Sequence, residues 1–208
     1  MTDTPFRVAA VLLAGGQARR MGGGDKSLRL LGGKTILSHI LDRILPQAEM
    51  VLLNANGDTG RFADLGLPVA RDVVEGFAGP LAGILTGLEW MRANRPEISH
   101  IVSCPTDAPF IPGDLVARLV AAVTAAGADI GCAQSGDRTH PVIGLWPVAL
   151  AGALREALTV RDIRKIDRWT AEYSVVYADW PAGPVDPFFN VNRPDDLALA
   201  EELLSGTR

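Results

Sequence analysis

The chain has 208 residues, 48% apolar and 21% charged, with a formal net charge of −4. That length and balance suit one α/β domain with a substantial interior. They argue against a surface built mainly for nucleic acid, and no run of about 20 apolar residues offers a membrane span.

Cys104 and Cys132 form no CxxC pair, and the opening MTDTPFR does not read as a signal peptide. A reducing, cytoplasmic setting is the expectation.

The first informative stretch is VAAVLLAGGQARRMGGGDK, from Val8 to Lys26. Val8 to Leu13 reads as a buried strand. Ala14, Gly15 and Gly16 follow at once, so small residues bring the backbone out of the strand. Glycine N–H groups can approach an anion closely. Arg19, Arg20 and Lys26 surround a second glycine cluster, Gly22 to Gly24. Donors and positive charge therefore coincide at a strand end, which suits a phosphate-rich ligand. The stretch is neither a dinucleotide fingerprint nor a P-loop, because the spacings differ from both.

The remaining elements follow in order. Thr35 to Leu45 has the spacing of an amphipathic helix, ended by Pro46. Met50 to Leu53 reads as a strand with Asn54 at its end. Pro68 to Ala70 reads as a brief strand with Asp72 just beyond. Gly79, Pro80 and Gly83 precede or interrupt a helix through Trp90 and Met91. Ile101 to Ser103 is a strand, followed by Asp107 among Pro105, Pro109 and Pro112. Asp114 to Ala126 is a helix that Asp114 is placed to cap.

Ala128 to Ala133 and His140 to Leu145 are strands joined through a polar turn at Ser135 to Arg138. Val148 to Leu158 is helical, and Arg161 to Trp169 is a short basic helix. Glu172 to Tyr177 and Phe188 to Val191 read as the last strands. Pro194 opens a closing helix to Leu204, since proline is tolerated in a first turn.

Alternating strands and helices predict an α/β fold with a mostly parallel sheet covered on both faces. Such sheets bind ligands beyond the carboxyl ends of their strands, where the Gly15 loop, Asn54, Asp72 and Asp107 all fall. Asp107 is the metal candidate, because Mg2+ takes oxygen ligands and shares them with phosphates. Lys26 has the reach for a phosphate. Asn54 offers an amide to a base or ribose, and Asp72 a carboxylate to a nucleotide or ion. His140 has no partner at metal spacing and reads as structural or as part of a substrate pocket. His39 reads as structural and His100 as a surface residue. Cys104 lacks the neighbouring histidine that a nucleophilic role asks for. Arg161, Arg164, Lys165 and Arg168 are either a solvated face or a docking patch for an anion or a partner.

The segments LAGGQARRMGGGDKSL, LLNAN, GPLAG, CPTDAPFIP, HPVIGLW and FFNVNRPDDL extend over nearly the whole chain. In them the chain resembles the molybdenum cofactor guanylyltransferases, the MobA-type branch of the LAGG-containing nucleotidyltransferases. The first segment marks the wider superfamily, and GPLAG, the HP–LW segment and NVN narrow it. Thr106 stands where relatives often carry a second cysteine, and three glycines precede Asp25.

The resemblance implies a three-layer α/β/α sandwich of the nucleotide-diphospho-sugar transferase type. It implies transfer of GMP from GTP to the terminal phosphate of the molybdenum–molybdopterin cofactor, with release of pyrophosphate and with Mg2+ as cofactor. GTP contacts would fall on Leu13, Ala14, Gly15, Lys26, Asn54, Asp72 and Asp107. Asp107 would also hold the metal. Lys26, Asp107 and Arg19 would be the catalytic set. Asn190, Asn192 and His140 would lie on the molybdopterin side.

In that reading residues 6–110 bind GTP and Mg2+, and residues 111–204 form the pterin side of a single domain. A cytoplasmic monomer is expected, with transient contacts to cofactor-synthesis proteins, delivery chaperones or acceptor molybdoenzymes. Neither nucleic acid nor membrane is an expected partner. Three rivals remain: a cytidylyltransferase acting on the same pterin, a sugar-1-phosphate nucleotidyltransferase, and a non-enzymatic nucleotide-binding regulator or delivery chaperone.

Overall fold

A computed structural model of the protein describes residues 6–15, 25–76, 79–183 and 185–206. Strand β1 (Val8–Leu13) lies inside a seven-stranded sheet. Its side chains alternate between faces, as the period of two requires. Val8, Ala10 and Leu12 enter one apolar cluster, while Ala9 and Val11 enter the other.

After β1 come a small hairpin, β2 (Leu30–Leu31) with β3 (Lys34–Thr35), and helix α1 (Ile36–Ile44). The Thr35 hydroxyl accepts from Ser38 N at 3.0 Å and caps α1. The other elements are β4 (Val51–Asn54), β5 (Val69–Ala70), α2 (Pro80–Asn94), β6 (His100–Pro105), α3 (Leu115–Ala126), β7 (Ile130–Ser135), β8 (Arg138–Pro147), α4 (Ala151–Thr159), α5 (Ile166–Thr170), β9 (Val175–Trp180) and α6 (Pro194–Gly206).

The strand order is β5-β4-β1-β6-β8-β7-β9. Every pairing is parallel except those of β8 with its two neighbours. The exception has a local cause. Only Gly136 and Asp137 separate β7 from β8, and so short a link can join only antiparallel strands. Helices α1 and α3 contribute to the cluster on one face of the sheet, and α2, α4 and α5 to the cluster on the other. The expected three-layer, mostly parallel α/β architecture is the one observed.

Helix α2 sits unusually close to the sheet. A Cβ on Gly83 would come within 2.4 Å of Asn54 Oδ1, and one on Gly87 within 2.6 Å of Val11 Cγ2. Two missing side chains, one turn apart on one face, let the helix pack on β1 and on the end of β4.

Several expectations are corrected. Phe188 to Val191 forms no strand; it is a turn running into irregular chain, because Asp186 Oδ1 draws in Phe188 N at 2.9 Å. The basic helix expected at Arg161 to Trp169 is only α5, since Asp162 takes a positive φ of 51° and breaks the run. The strand expected at Glu172 to Tyr177 is β9, displaced toward the C-terminus. Asp114 precedes α3 but does not cap it. Its carboxylate accepts from Trp180 Nε1 at 2.9 Å and pairs with Arg118. His100 is half-buried rather than a plain surface residue: it opens β6, its ring stands 4.4 Å from that of Phe6, and burial pushes its pKa down to about 4. The β2–β3 hairpin and the 3-10 helix Thr59–Leu65 carry no periodic signal that would have announced them.

Candidate active site

The sheet changes winding direction at β1. From β1 the chain adds β4 and β5 on one side, then crosses to place β6 on the other. A crevice opens at such a point beyond the carboxyl ends of the strands. Leu13 ends β1 there and Ala14 and Gly15 lead out of it, with Ala14 N donating to Asn54 O at 2.8 Å. Thr106 Oγ1 donates to Leu13 O at 3.3 Å and joins the end of β6 to the end of β1.

Lys26 and Asp107 meet there. The Lys26 ammonium donates to Asp107 Oδ2 at 2.8 Å and to Asn192 Oδ1 at 2.6 Å. Lys26 is held by its neighbours. Asp25 Oδ1 accepts from Ser27 N and Ser27 Oγ, which fixes the 3-10 turn Lys26–Leu28, and Asp25 Oδ2 pairs with Arg61 Nε at 2.8 Å. Val191 N donates to Asp107 O at 2.8 Å, so the closing segment is tied to the aspartate loop by its backbone as well.

Asp107 Oδ1 is buried and has no hydrogen-bond partner among the described residues. A buried carboxylate oxygen left unpaired is costly, which makes it a site waiting for a donor or a cation. No three His, Cys, Asp or Glu side chains converge to cage a metal among the described residues. A single carboxylate is nonetheless what Mg2+ asks for when substrate phosphates and water complete its shell. The residues present therefore fit a divalent cation shared with a nucleotide.

Asn54 and Asp72 are brought together, but not side by side as two ligands. Asn54 is buried, and its Nδ2 donates to Ala70 O and to Asp72 Oδ1 at 2.9 Å. Asn56 donates to Asp72 Oδ2 at 2.8 Å and accepts from Asp72 N at 3.0 Å. The Asn54 amide nitrogen is thus committed to orienting Asp72, and Asn56 does the same from the exposed side. Sequence reading took Asn56 for a turn residue; the LLNAN run alone gives no sign of the partner of Asn56, 16 positions on. Thr86 Oγ1 accepts from Val73 N at 3.1 Å and anchors the loop behind Asp72 to α2.

On the other side of Lys26, Asn190 and Asn192 line a common cavity of about 340 Å³ with Arg138, Asp186, Phe189 and Arg193. The Asn190 Oδ1 atom is buried without a partner among the described residues, and Val191 between the two asparagines is fully buried. His140 is buried one step behind this cavity, with Nε2 2.7 Å from Ser135 Oγ. Arg61, Asn56, Ser135 and Asp186 are the members of the site that sequence reading missed. Arg19, Arg20 and the Gly22 to Gly24 cluster lie outside the described residues.

Cys104 and Cys132 are buried, and burial pushes both thiols up to about 12. They stay protonated and serve as core. His39 Nε2 meets Leu31 O at 2.7 Å, a structural contact as expected. Two of the four cations of the basic patch are paired, Arg161 with Glu172 and Arg164 with Asp162.

A lysine–aspartate pair at the switch point of a mostly parallel sheet, open to a second polar cavity, defines an α/β enzyme for nucleotide transfer. The sequence pattern of the MobA-like NTP transferase domain matches residues 10–176, and the chain belongs to that family. It is 55% identical over 202 residues to a molybdenum cofactor guanylyltransferase of Bradyrhizobium sp., covering 97% of this chain and 95% of that one. The crystal structure of molybdopterin-guanine dinucleotide biosynthesis protein A from Archaeoglobus fulgidus superposes with a TM-score of 0.74 at 25% identity, over 95% of this chain and 99% of that one. A Mycobacterium tuberculosis protein crystallised with manganese shares the fold, with a TM-score of 0.68 at 19% identity over 96% of this chain and all of that one.

Proposed function

We infer that the protein is a molybdenum cofactor guanylyltransferase, which transfers GMP from GTP to the terminal phosphate of the molybdenum–molybdopterin cofactor and releases pyrophosphate. The likeness to the guanylyltransferases runs over almost the full length of both chains. The observation that carries the chemistry is the Lys26–Asp107 pair, with its orphaned carboxylate oxygen, between the strand-end loops and the second cavity.

The attacking phosphate is already ionised near neutral pH, so no protein base is required. What remains is alignment and charge neutralisation. In this reading Leu13, Ala14 and Gly15 seat the nucleotide, and Asp72, oriented by Asn54 and Asn56, takes a polar group of it. Lys26 leaves Asp107 and Asn192 and moves its charge to the outer phosphates. That movement frees both Asp107 oxygens for a divalent cation, for which Mg2+ is the proposal; manganese in a fold neighbour supports a site of that charge. When bound, the ion neutralises the phosphates and polarises the α-phosphoryl group. Arg19 is the further cation proposed for the triphosphate.

Residues 6–110 form the nucleotide side and residues 111–204 the pterin side, with Asn190 and Asn192 facing the second substrate and His140 behind it. The same reading has a cytoplasmic monomer that meets synthesis proteins, chaperones or acceptor enzymes transiently. No helix among the described residues is long and apolar enough to cross a membrane.

A turnover assay with molybdenum–molybdopterin cofactor, Mg2+ and each nucleoside triphosphate tests the activity. Guanine dinucleotide from GTP alone is expected. A cytosine product would favour the cytidylyl rival, and binding of GTP without any product would favour a regulator or chaperone.

A further inference from the structure

The cavity beside Lys26 has a polarity that the nucleotide chemistry does not use. Arg138 and Arg193 supply positive charge, and Phe189 supplies a ring face. Asp196 Oδ2 accepts from both Asn192 N and Arg193 N at 2.8 Å, which ties that carboxylate to the backbone at the start of α6. Asp186 is tied instead to a buried chain of side chains. Its Oδ1 accepts from Ser135 Oγ and from Phe188 N, each at 2.9 Å, while no described residue donates to Oδ2. One oxygen is clamped and the other is left to the cavity.

The clamp has a proton order. Ser135 has a single hydroxyl proton, and a carboxylate only accepts. Ser135 therefore donates to Asp186, and its oxygen takes the Nε2–H of His140 at 2.7 Å. Burial, the largest influence on His140, holds its pKa down and keeps the ring neutral, against the pull of Asp186. The ring is fixed by Phe188, 4.7 Å away, which is in turn edge-on to Trp180 at 5.3 Å. A buried, ordered chain ends on one free carboxylate oxygen.

We propose that Asp186 recognises the 2-amino-4-oxo edge of the pterin ring, and that Ser135 and His140 are positioning residues that hold it. This rests on the function proposed above. That edge presents adjacent N–H donors, which a carboxylate oxygen accepts. A phosphate would be repelled by Asp186 and belongs near Arg138 and Arg193 instead. The orphaned Oδ1 of Asn190 is a second acceptor on the same wall. The Phe189 ring offers a planar heterocycle a stacking face.

Guanine carries the same edge, so the test separates the two rings. Dinucleotide formation is inhibited with pterin and, separately, with lumazine, whose 2-oxo group replaces the 2-amino donors. GTP and ITP, which differ by the same amino group, are compared by calorimetry. Losing a hydrogen bond to a charged group shifts affinity by about tenfold or more. Wild-type protein should be inhibited at least about tenfold better by pterin than by lumazine. Asp186→Asn should lose that preference, because a carboxamide can also donate to the 2-oxo group, and should keep the GTP-to-ITP ratio. Ser135→Ala should lose part of the pterin preference, and Ser135→Thr should restore it. Circular dichroism establishes folding, and Asp186→Glu provides a second charged variant should Asp186→Asn fail to fold; it should retain the preference. An unchanged pterin-to-lumazine ratio in folded Asp186→Asn, or no inhibition of the wild type by pterin, would overturn the proposal. A changed GTP-to-ITP ratio would move Asp186 to the guanine and overturn it too. Wild-type protein that makes no dinucleotide would instead overturn the function on which the proposal rests.

Discussion

The ammonium of Lys26 lies 2.8 Å from Asp107 Oδ2, across 81 positions of sequence, and reaches Asn192 in the same geometry. One cation therefore satisfies a carboxylate from the loop after β6 and a carboxamide from the segment before α6. Substrate phosphates would compete for that cation. Their binding exchanges an internal ion pair for one with substrate, so little net charge has to be buried anew.

Asp107→Asn should fold and should lose about a hundredfold or more in turnover, the scale of removing one electrostatic stabiliser from a transition state. Guanine dinucleotide formation at saturating Mg2+, with circular dichroism alongside, measures it. Near-normal turnover in a folded variant would remove Asp107 from the metal.

Lys26→Ala should weaken GTP by about 1.5–3 kcal/mol, the size of a lost charge-assisted hydrogen bond, and leave guanosine almost unaffected. Calorimetric titration with both ligands gives the comparison. Equal weakening would place Lys26 away from the phosphates.

Asn56→Ala removes two hydrogen bonds that orient Asp72 from its exposed side. GTP affinity should fall several-fold, at about 1 kcal/mol for each net hydrogen bond, with little change in the urea midpoint because the site is exposed. A large midpoint shift with unaltered GTP binding would make Asn56 a structural residue only.

Gly83→Ala would press a methyl group against the Asn54 carboxamide and the Leu13 side chain. Overpacking of this kind costs about 1–3 kcal/mol. Urea denaturation should show the loss, and GTP binding should weaken as well because Asn54 must shift away from Asp72. A stability equal to wild type would mean that α2 can slide outward freely.

Glu89 on α2 and Arg155 on α4 make a two-bonded contact at 2.6 Å through each pair of atoms. The hydrogen bond from Arg155 is the main reason the Glu89 carboxyl sits below its ordinary value of 4.5. A carboxyl depressed on folding contributes stability above its unfolded pKa and loses it as pH falls through the folded one. The urea-midpoint gap between wild type and Glu89→Gln should therefore be present at pH 7 and should close in the acid range below about 4.5. A gap that persists there would assign the effect to packing.

The fold was legible because its strands are short, apolar and separated by helical spacing. Parallel strands covered on both faces announce themselves by composition, as VAAVLL does. The strand ends were legible for the same reason: Asn54, Asp72 and Asp107 are polar residues just where an apolar run stops. Two kinds of feature were not. Phe188 to Val191 looks like a strand by composition, yet Asp186 captures the Phe188 amide and turns the chain; a side-chain acceptor two residues upstream overrode propensity. Asn56, Arg61 and Ser135 each have a partner distant in sequence, Asp72, Asp25 and Asp186, and a turn residue and a residue that orients another look alike until that partner is placed. Asn54 ends its strand as expected, but its amide nitrogen faces Asp72 within the protein, a direction no spacing rule supplies.

The hydrogen bond from Val191 N to Asp107 O has a bearing on how the protein is made. Sheet strands β1, β4, β5 and β6 can assemble from the first half of a growing chain. The aspartate loop, however, is braced by a segment that leaves the ribosome much later, together with the asparagine that holds Lys26. Until residues 190–193 emerge and dock, a nascent chain lacks the backbone brace on the aspartate loop and the second acceptor of Lys26. The loop that carries Asp107 therefore reaches its final bracing only at the closing stage of synthesis.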